Sequence, residues 1–317
     1  MSGATPLILS FGSVNIDVTA RARHIPKPGQ TIHAESYFIA LGGKGSNQAA
    51  ATGRLARSLP VRAALAGRVG TDPFGIQARK KLLEFGVDLT ALRDDPDTPT
   101  GLALIIVDDT SGENSITVAG GANMAVTIAD IDDADALFSA ASVLMLQLEL
   151  PVYTVLEAAK RAKQAGATVI LDPAPVPEGG LPAQLWPLID IITPNESETL
   201  SLVGLAPETT EDAARAAAML INRGVRATVV KMGARGVWWQ DETGSGFIPP
   251  FTVTAVDTVA AGDCFNAGLA TSLALGQNLA EATRVAAACG ALATTRYGAA
   301  QASPEWEDVA ALLRHST

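Results

Sequence analysis

An α/β fold built on a mostly parallel sheet is what the sequence predicts, and three observations predict it. Short apolar runs alternate with helix-length segments along most of the chain, and repeated β–α units place helices on both faces of a parallel sheet. One pair of runs, 101–107 and 113–118, breaks that alternation and flanks Asp109-Thr110-Ser111-Gly112, which reads as a β-hairpin. The 317 residues, 48% hydrophobic and 18% charged, are enough for a large core.

Composition also narrows the function. A formal charge of -10 leaves no basic footprint for nucleic acid. No run approaches the ~20 apolar residues of a membrane helix. Met1 to Ser10 lacks the basic segment and long apolar core of a secretion signal. Two cysteines, Cys264 and Cys289, make no disulfide framework, and His24, His33 and His315 have no zinc spacing. A cytoplasmic enzyme acting on small molecules is expected, with no nucleic-acid or membrane partner.

Leu7 to Gly12 reads as a buried strand that empties into Ser13-Val14-Asn15-Ile16-Asp17. Asn15 and Asp17 then stand beyond a strand end, where α/β sheets bind ligands. Together they offer the donor and acceptor set that grips sugar hydroxyls, or else they stabilise a turn. Pro26, Pro28 and Gly29 punctuate the next segment. Leu41-Gly42-Gly43-Lys44-Gly45-Ser46-Asn47-Gln48 is a glycine-rich loop opening an alanine-rich helix. It has neither the Walker A order nor that of a dinucleotide fingerprint. Asn47 on the first helical turn can reach a polyol, and Lys44 either neutralises phosphate or is solvated.

Val61 to Gly67 is the next strand, and Asp72-Pro73 starts a helix that runs to Phe85 and stops at Gly86. The 101–118 hairpin, with an excursion over 17–40, forms either a small sheet standing off the body as a lid or an ordinary edge hairpin. Leu102, Leu104 and Ile106 share one face, and Ala103, Ile105 and Val107 the other. Two apolar faces call for cover on both. Strands at 143–149, 168–172, 190–195 and 226–231 come next, with helices near Pro151, over Glu196 and Glu198, and over 211–223. Glu149, Asp172, Asn195 and Lys231 therefore gather at strand carboxyl ends, along one sheet edge.

The last stretch organises the rest. A strand-like run, 251–256, leads into Asp257-Thr258-Val259-Ala260-Ala261-Gly262-Asp263-Cys264-Phe265-Asn266 and a buried helix closed by Gly276. Small residues at that turn let an anion approach helical N–H groups that have no intrahelical partner. Asp263 is either the N-cap of the helix or a base for an attacking hydroxyl. Cys264, at a helix start, is a position where a thiol pKa can fall.

These segments in order resemble the ribokinase (phosphofructokinase-B type) carbohydrate kinases, from Gly12-Ser13-Val14-Asn15-Ile16-Asp17 to Arg296-Tyr297-Gly298-Ala299. The most specific blocks are Gly42-Gly43-Lys44-Gly45-Ser46-Asn47-Gln48-Ala49 and 257–265, joined by Thr193-Pro194-Asn195-Glu196-Ser197-Glu198 and Met145-Leu146-Gln147-Leu148-Glu149. The resemblance implies one ribokinase-like three-layer unit over 1–317, with a β lid from excursions at about 15–41 and 98–121. It implies sugar contacts at Asn15, Asp17, Gly43, Lys44, Asn47 and Glu149, and a catalytic base at Asp263. N–H groups around Ala260, Ala261 and Gly262 would stabilise the transferring phosphoryl group. ATP would meet Asn195, Lys231, Gly233, Arg235, Gly236 and Gly262, with Asn195 and Glu198 orienting magnesium waters. Potassium would bind Asp257 and carbonyls of Val259, Ala293, Arg296 and Gly298.

The activity implied is transfer of the γ-phosphoryl of ATP to the 5-hydroxyl of D-ribose. Alternatives are a deoxyribose, other ketose or aldose, or nucleoside kinase, and a sensor without turnover. A homodimer through the lid is implied as well. Four positions depart from the family pattern. Ala302 stands where the potassium loop often ends in a hydroxyl, with Ser303 one step along. Ala287 stands at the adenine contact, Lys231 where a smaller Thr is common, and Ala267-Gly268 where Gly-Ala is familiar.

Overall fold

The structure is a computed structural model that describes residues 4–315, so the first three residues of the Met1 to Ser10 stretch lie outside it. The chain starts with β1 (Leu7–Phe11), leaves for β2 (Asn15–Ala22) and β3 (Ser36–Gly42), and returns through α1 (Lys44–Leu55), β4 (Arg62–Gly70), α2 (Pro73–Glu84) and β5 (Leu92–Asp95). A second excursion makes β6 (Gly101–Asp108) and β7 (Asn114–Ala119). Short helices α3 (Ile128–Asp133) and α4 (Asp135–Ala140) precede β8 (Ala141–Leu146), α5 (Val152–Gln164), β9 (Thr168–Leu171) and β10 (Ile191–Ile192). Then come α6 (Glu196–Val203), α7 (Thr210–Ile221), β11 (Ala227–Lys231), the hairpin β12 (Val237–Asp241) and β13 (Gly244–Ile248), and helices α8 (Ala261–Ala274), α9 (Leu279–Ala293) and α10 (Trp306–His315).

The main sheet has nine strands in the order β13-β12-β11-β10-β9-β8-β1-β4-β5. It is parallel from β5 to β11, and only the β12–β13 hairpin runs antiparallel. Strand alternation sorts its side chains into two cores. Leu7, Leu9, Phe11, Leu144 and Leu146 meet α3, α4, α5 and α7 through Ile131, Phe138, Val155 and Ala216. Ile8, Val143, Met145 and Val229 meet α8 and α9 through Phe265, Leu269, Ala282 and Ala286. The result is the predicted three-layer α/β architecture. At α2 the predicted polarity holds to the residue: Asp72 accepts from the N–H groups of Phe74 and Gly75, and Pro73 opens the helix.

The second sheet runs β3-β2-β6-β7, with β2 and β6 parallel and the outer pairs antiparallel. A single chain covers β6 only near its start. Ala103 is buried and Leu102 packs on the body, but Leu104 is 50% exposed and all six residues of β7 are exposed. Tyr37 and Ile39 lie exposed on the Leu104 face and Phe38, Ile116 and Val118 on the opposite one, so both faces of the outer sheet carry open apolar residues.

One expected strand is absent. The 251–256 run is irregular, because its chain is fastened to the end of α9: the N–H groups of Val256 and Asp257 both donate to the carbonyl of Thr294, at 2.8 and 3.1 Å. Phe251 supplies an anchor by packing among Leu55, Val285 and Val309. Among the described residues, no helix is long and apolar enough to cross a membrane.

Candidate active site

The carboxyl edge of the main sheet collects the polar residues. Chain entry into α1 depends on Gly43, whose φ is 88° and where a Cβ would stand 2.7 Å from the N of Asn15. That turn brings Lys44 to the first position of the helix. Its N–H donates to Glu149 Oε2 at 3.0 Å, and the Ser13 hydroxyl donates to the same oxygen. Burial alone would weaken the hold of Lys44 on its proton, but Asp263, Asp172, Glu149 and Glu198 surround it and raise its pKa. Lys44 is therefore charged and half-buried, not solvated. Asn15 and Asp17 open β2, and Asn15 Oδ1 accepts from Asn123 Nδ2 at 2.7 Å. Burial first, and then the charge of Glu149, push Asp17 up to about 6.

Asp263 lies at the third position of α8 and is not its cap. The helix starts earlier, from Ala260, which adopts a left-handed φ of 58° and contributes no side-chain cap. A non-glycine residue there costs on the order of 1 kcal/mol and is held only by its surroundings. This start turns the Asp263 carboxylate inward onto α1. Asn47 Nδ2 donates to its Oδ2 at 3.0 Å, and Gln48 Nε2 to its Oδ1 at 3.2 Å. Burial pushes Asp263 up to about 7, with Asp172 adding to the rise while Lys44, Asn47 and Gln48 oppose it. A carboxylate poised there suits a general base at neutral pH. Of the predicted phosphoryl donors, the Ala261 N–H is turned back onto the Thr258 carbonyl at 3.3 Å, while those of Ala260 and Gly262 have no acceptor among the described residues, and neither has the N–H of Asp263.

Sequence reasoning missed three participants. Gln48 Nε2 also donates to Asp172 Oδ2 at 3.2 Å, and its Oε1 accepts from Gln147 Nε2 at 2.6 Å. Asn123 braces both Asn15 and the backbone of Val14. A visible signal was present for the glutamines: each is a long polar side chain set in an apolar run, Ala49-Ala50-Ala51 for one and Leu146 and Leu148 for the other.

Beyond β11, Gly233 to Arg235 make a tight turn ended by Gly236. Lys231 Nζ donates to Asp172 Oδ1 at 3.1 Å. Arg235 is committed elsewhere: it pairs with Glu196 and donates to the carbonyls of Pro207 and Glu208. Asn195 and Glu198 form a reciprocal cap for α6, in which Asn195 N–H and Nδ2 donate to Glu198 at 2.8 and 2.9 Å. Burial raises the pKa of Glu198, and nearby Lys231 works against that rise. No group of three or more His, Cys, Asp or Glu among the described residues can hold a metal directly.

Behind the α8 turn, Asp257 accepts from the N–H groups of Val259 and Gly298, both at 3.0 Å, so the 257–259 and 296–298 turns lie side by side. The Ala293 carbonyl accepts from Arg296 N–H at 3.4 Å, and the Arg296 side chain pairs with Asp308. Ser303 turns its hydroxyl onto the Ala300 carbonyl at 2.7 Å. Arg54, at the far end of α1, donates to the carbonyls of Ser303 and Gln301 at 2.6 and 3.1 Å. Ala287 packs on the core beneath α9. Cys264 is fully enclosed, in keeping with a small structural residue, and burial pushes its thiol up to about 12.

Residues 5–306 match the profile of the pfkB family carbohydrate kinases. The chain belongs to that family. As a pfkB-type carbohydrate kinase, an ATP-dependent sugar kinase, it is 35% identical over 306 residues to the ribokinase of Haemophilus influenzae, covering 96% of this chain and 98% of that one. The structure of Arabidopsis thaliana ribokinase complexed with ribose and ATP superposes with a TM-score of 0.88 at 33% identity, covering 98% and 99% of the two chains. A deoxyribokinase of Salmonella typhi is 34% identical over 258 residues, 81% of this chain and 82% of that one.

Proposed function

We propose that this kinase transfers the γ-phosphoryl group of ATP to the 5-hydroxyl of D-ribose. One observation carries the reading: the carboxylate of Asp263 is gripped by Asn47 from the α1 loop and stands in the first turn of α8, whose Gly262 and Asp263 N–H groups are open. A sugar held by Asn15, Asp17, the Gly43 backbone, Lys44, Asn47 and Glu149 presents its primary hydroxyl to Asp263. Asp263 takes that proton as the oxygen attacks phosphorus, and the open N–H groups stabilise the charge spreading over the phosphoryl oxygens. Lys44, ringed by carboxylates, supplies the positive charge on the sugar side. Lys231, Gly233 and Gly236 flank the nucleotide, while Arg235 braces the 233–236 turn through Glu196.

Magnesium entering with ATP neutralises phosphate charge. Asn195 and Glu198, as an amide and carboxylate pair, are the residues that would hold its waters. Potassium would take Asp257 and the carbonyls of Val259, Ala293, Arg296 and Gly298, a set of hard oxygens. Ala302 and the inward-turned Ser303 add no hydroxyl to that set. The second sheet would act as a lid, and its exposed apolar residues are those through which we expect two copies to pair.

ADP release measured across ribose, deoxyribose, fructose, ketodeoxygluconate and nucleosides tests the assignment. Ribose is expected to give the highest kcat/KM, and turnover with another acceptor but none with ribose would refute it. Deoxyribose is the second reading, favoured by the deoxyribokinase relative.

A further inference from the structure

Asp172 follows β9, and its carboxylate bonds Lys231 and Gln48, neither of which is among the residues proposed to hold the sugar hydroxyls. It is 3% exposed, and each of its oxygens takes one partner. Oδ1 accepts from Lys231 Nζ at 3.1 Å, and Oδ2 accepts from Gln48 Nε2 at 3.2 Å. Gln48 turns its amide nitrogen to the two carboxylates, which accept and do not donate when ionised, while its Oε1 accepts from Gln147 Nε2 at 2.6 Å. The same Nε2 therefore bridges Asp172 and Asp263.

The lysine arm points at the other reactant. A Cβ on Gly262 would stand 3.5 Å from Lys231 Nζ, so the ammonium lies against the first turn of α8, beside the open N–H groups. An ammonium has three donors. One is spent on Asp172, and no acceptor among the described residues takes the other two. The side chain is 13% exposed, so Nζ keeps a narrow access to solvent, and the Phe265 ring lies 5.9 Å away; these donors have no acceptor within the protein. A largely enclosed ion pair that leaves two donors unused by the protein is poor as a purely structural contact. It is well formed as a preset donor for an incoming anion.

We propose that Asp172 is the positioning residue that aligns the two reactants. Through Lys231 it aims two free N–H donors at the terminal phosphoryl group of the nucleotide, and through Gln48 it fixes the carboxylate of Asp263 toward the sugar. The inference rests on reading the α8 turn as the phosphoryl site. Lys44 from α1 and Asp172 after β9 act on Asp263, Lys231 from β11 lies by the neighbouring Gly262, and Glu149 after β8 and Glu198 from α6 act on Lys44. Removing the Asp172 charge takes away a like-charged neighbour and so lowers the pH at which Asp263 gains its proton.

The test uses the full chain and begins without sugar. ATP and ADP are titrated by calorimetry into the unaltered protein, Lys231→Met, Lys231→Arg and Asp172→Asn, with thermal melts confirming folding. Lys231→Met is expected to bind ATP about tenfold more weakly with a smaller loss for ADP, and Lys231→Arg to keep most of the affinity. Asp172→Asn is expected to weaken ATP several-fold and to move the acid limb of turnover down by roughly half a pH unit. Unchanged ATP affinity in both Lys231→Met and Asp172→Asn overturns the proposal. So does an Asp172→Asn protein that loses turnover with its acid limb and KM for ATP unmoved, as a packing defect would. Should Lys231→Met not fold, Lys231→Arg and Asp172→Asn decide by the same criteria. Absence of turnover with any acceptor counts against the function reading alone, since the sugar-free titrations still report on Lys231 and Asp172.

Discussion

The two sheets differ in what they leave uncovered. Both faces of the nine-stranded sheet are sealed by helices, and its functional groups project only from the carboxyl edge. The four-stranded sheet is packed on the body only at its inner end and is open beyond it, with Tyr37 73% exposed and the whole of β7 in contact with solvent. Rigid support and adaptable cover are thus assigned to different sheets. Chemistry that needs fixed distances, at Asp263, Gln48 and Asp172, stands on the sealed one. Asn15 and Asp17 belong to both, since they leave β1 and open β2.

Four experiments put that division at risk. The largest effect is expected at the sealed sheet's edge: Asp263→Asn should lower kcat about a thousandfold or more while still binding ATP and sugar. Retained turnover would remove Asp263 from the role of base. Next comes Leu144→Ala, in the middle of β8 and without exposure, which should cost about 3 kcal/mol of stability by urea unfolding. A loss below about 1 kcal/mol would mean that the sealed core tolerates voids and is not the rigid member of the pair.

The third effect concerns pH. A carboxylate pushed up takes its proton where an ordinary aspartate is still ionised, so activity falls on the acid side. With Asp263 at about 7 and Asp17 at about 6, kcat/KM should drop about tenfold per unit below neutrality and more steeply beneath pH 6. A flat profile from about pH 5.5 to 7.5 would contradict the buried, base-like setting of Asp263. The smallest change in fold stability belongs to the open sheet. Ile116→Asp should alter it by no more than about 0.5 kcal/mol, yet convert a dimer to monomers in sedimentation. An unaltered protein that sediments as a monomer would send the open sheet in search of another role.

Legibility in the sequence obeyed the same division. Alternating apolar runs disclosed the sealed sheet, because burial on both faces leaves continuous hydrophobic segments. The β12–β13 hairpin escaped notice although Val237-Trp238-Trp239 and the Asp241-Glu242-Thr243-Gly244 turn carry the usual signals. The 251–256 run alternates like a strand but lacks one, since periodicity says nothing about whether a neighbour is available. At the site, residue types and their order pointed to Asp263 and Lys44. What they could not reveal was Ala260 in a left-handed conformation, which moves the helix start and turns Asp263 from cap position to interior. Nor could they reveal that Gln48 and Asp172 meet across 124 residues.

Helix α1 has a property that its two ends only acquire together. It opens at Lys44 beside the sugar residues and closes near Arg54, whose guanidinium grasps the carbonyls of Gln301 and Ser303. Twelve helical residues make a strut of about 18 Å that does not shorten or bend easily. The turn beyond Gly298 and the loop that meets the sugar are thereby the two handles of one lever, with the buried alanines of α1 against α8 as its fulcrum.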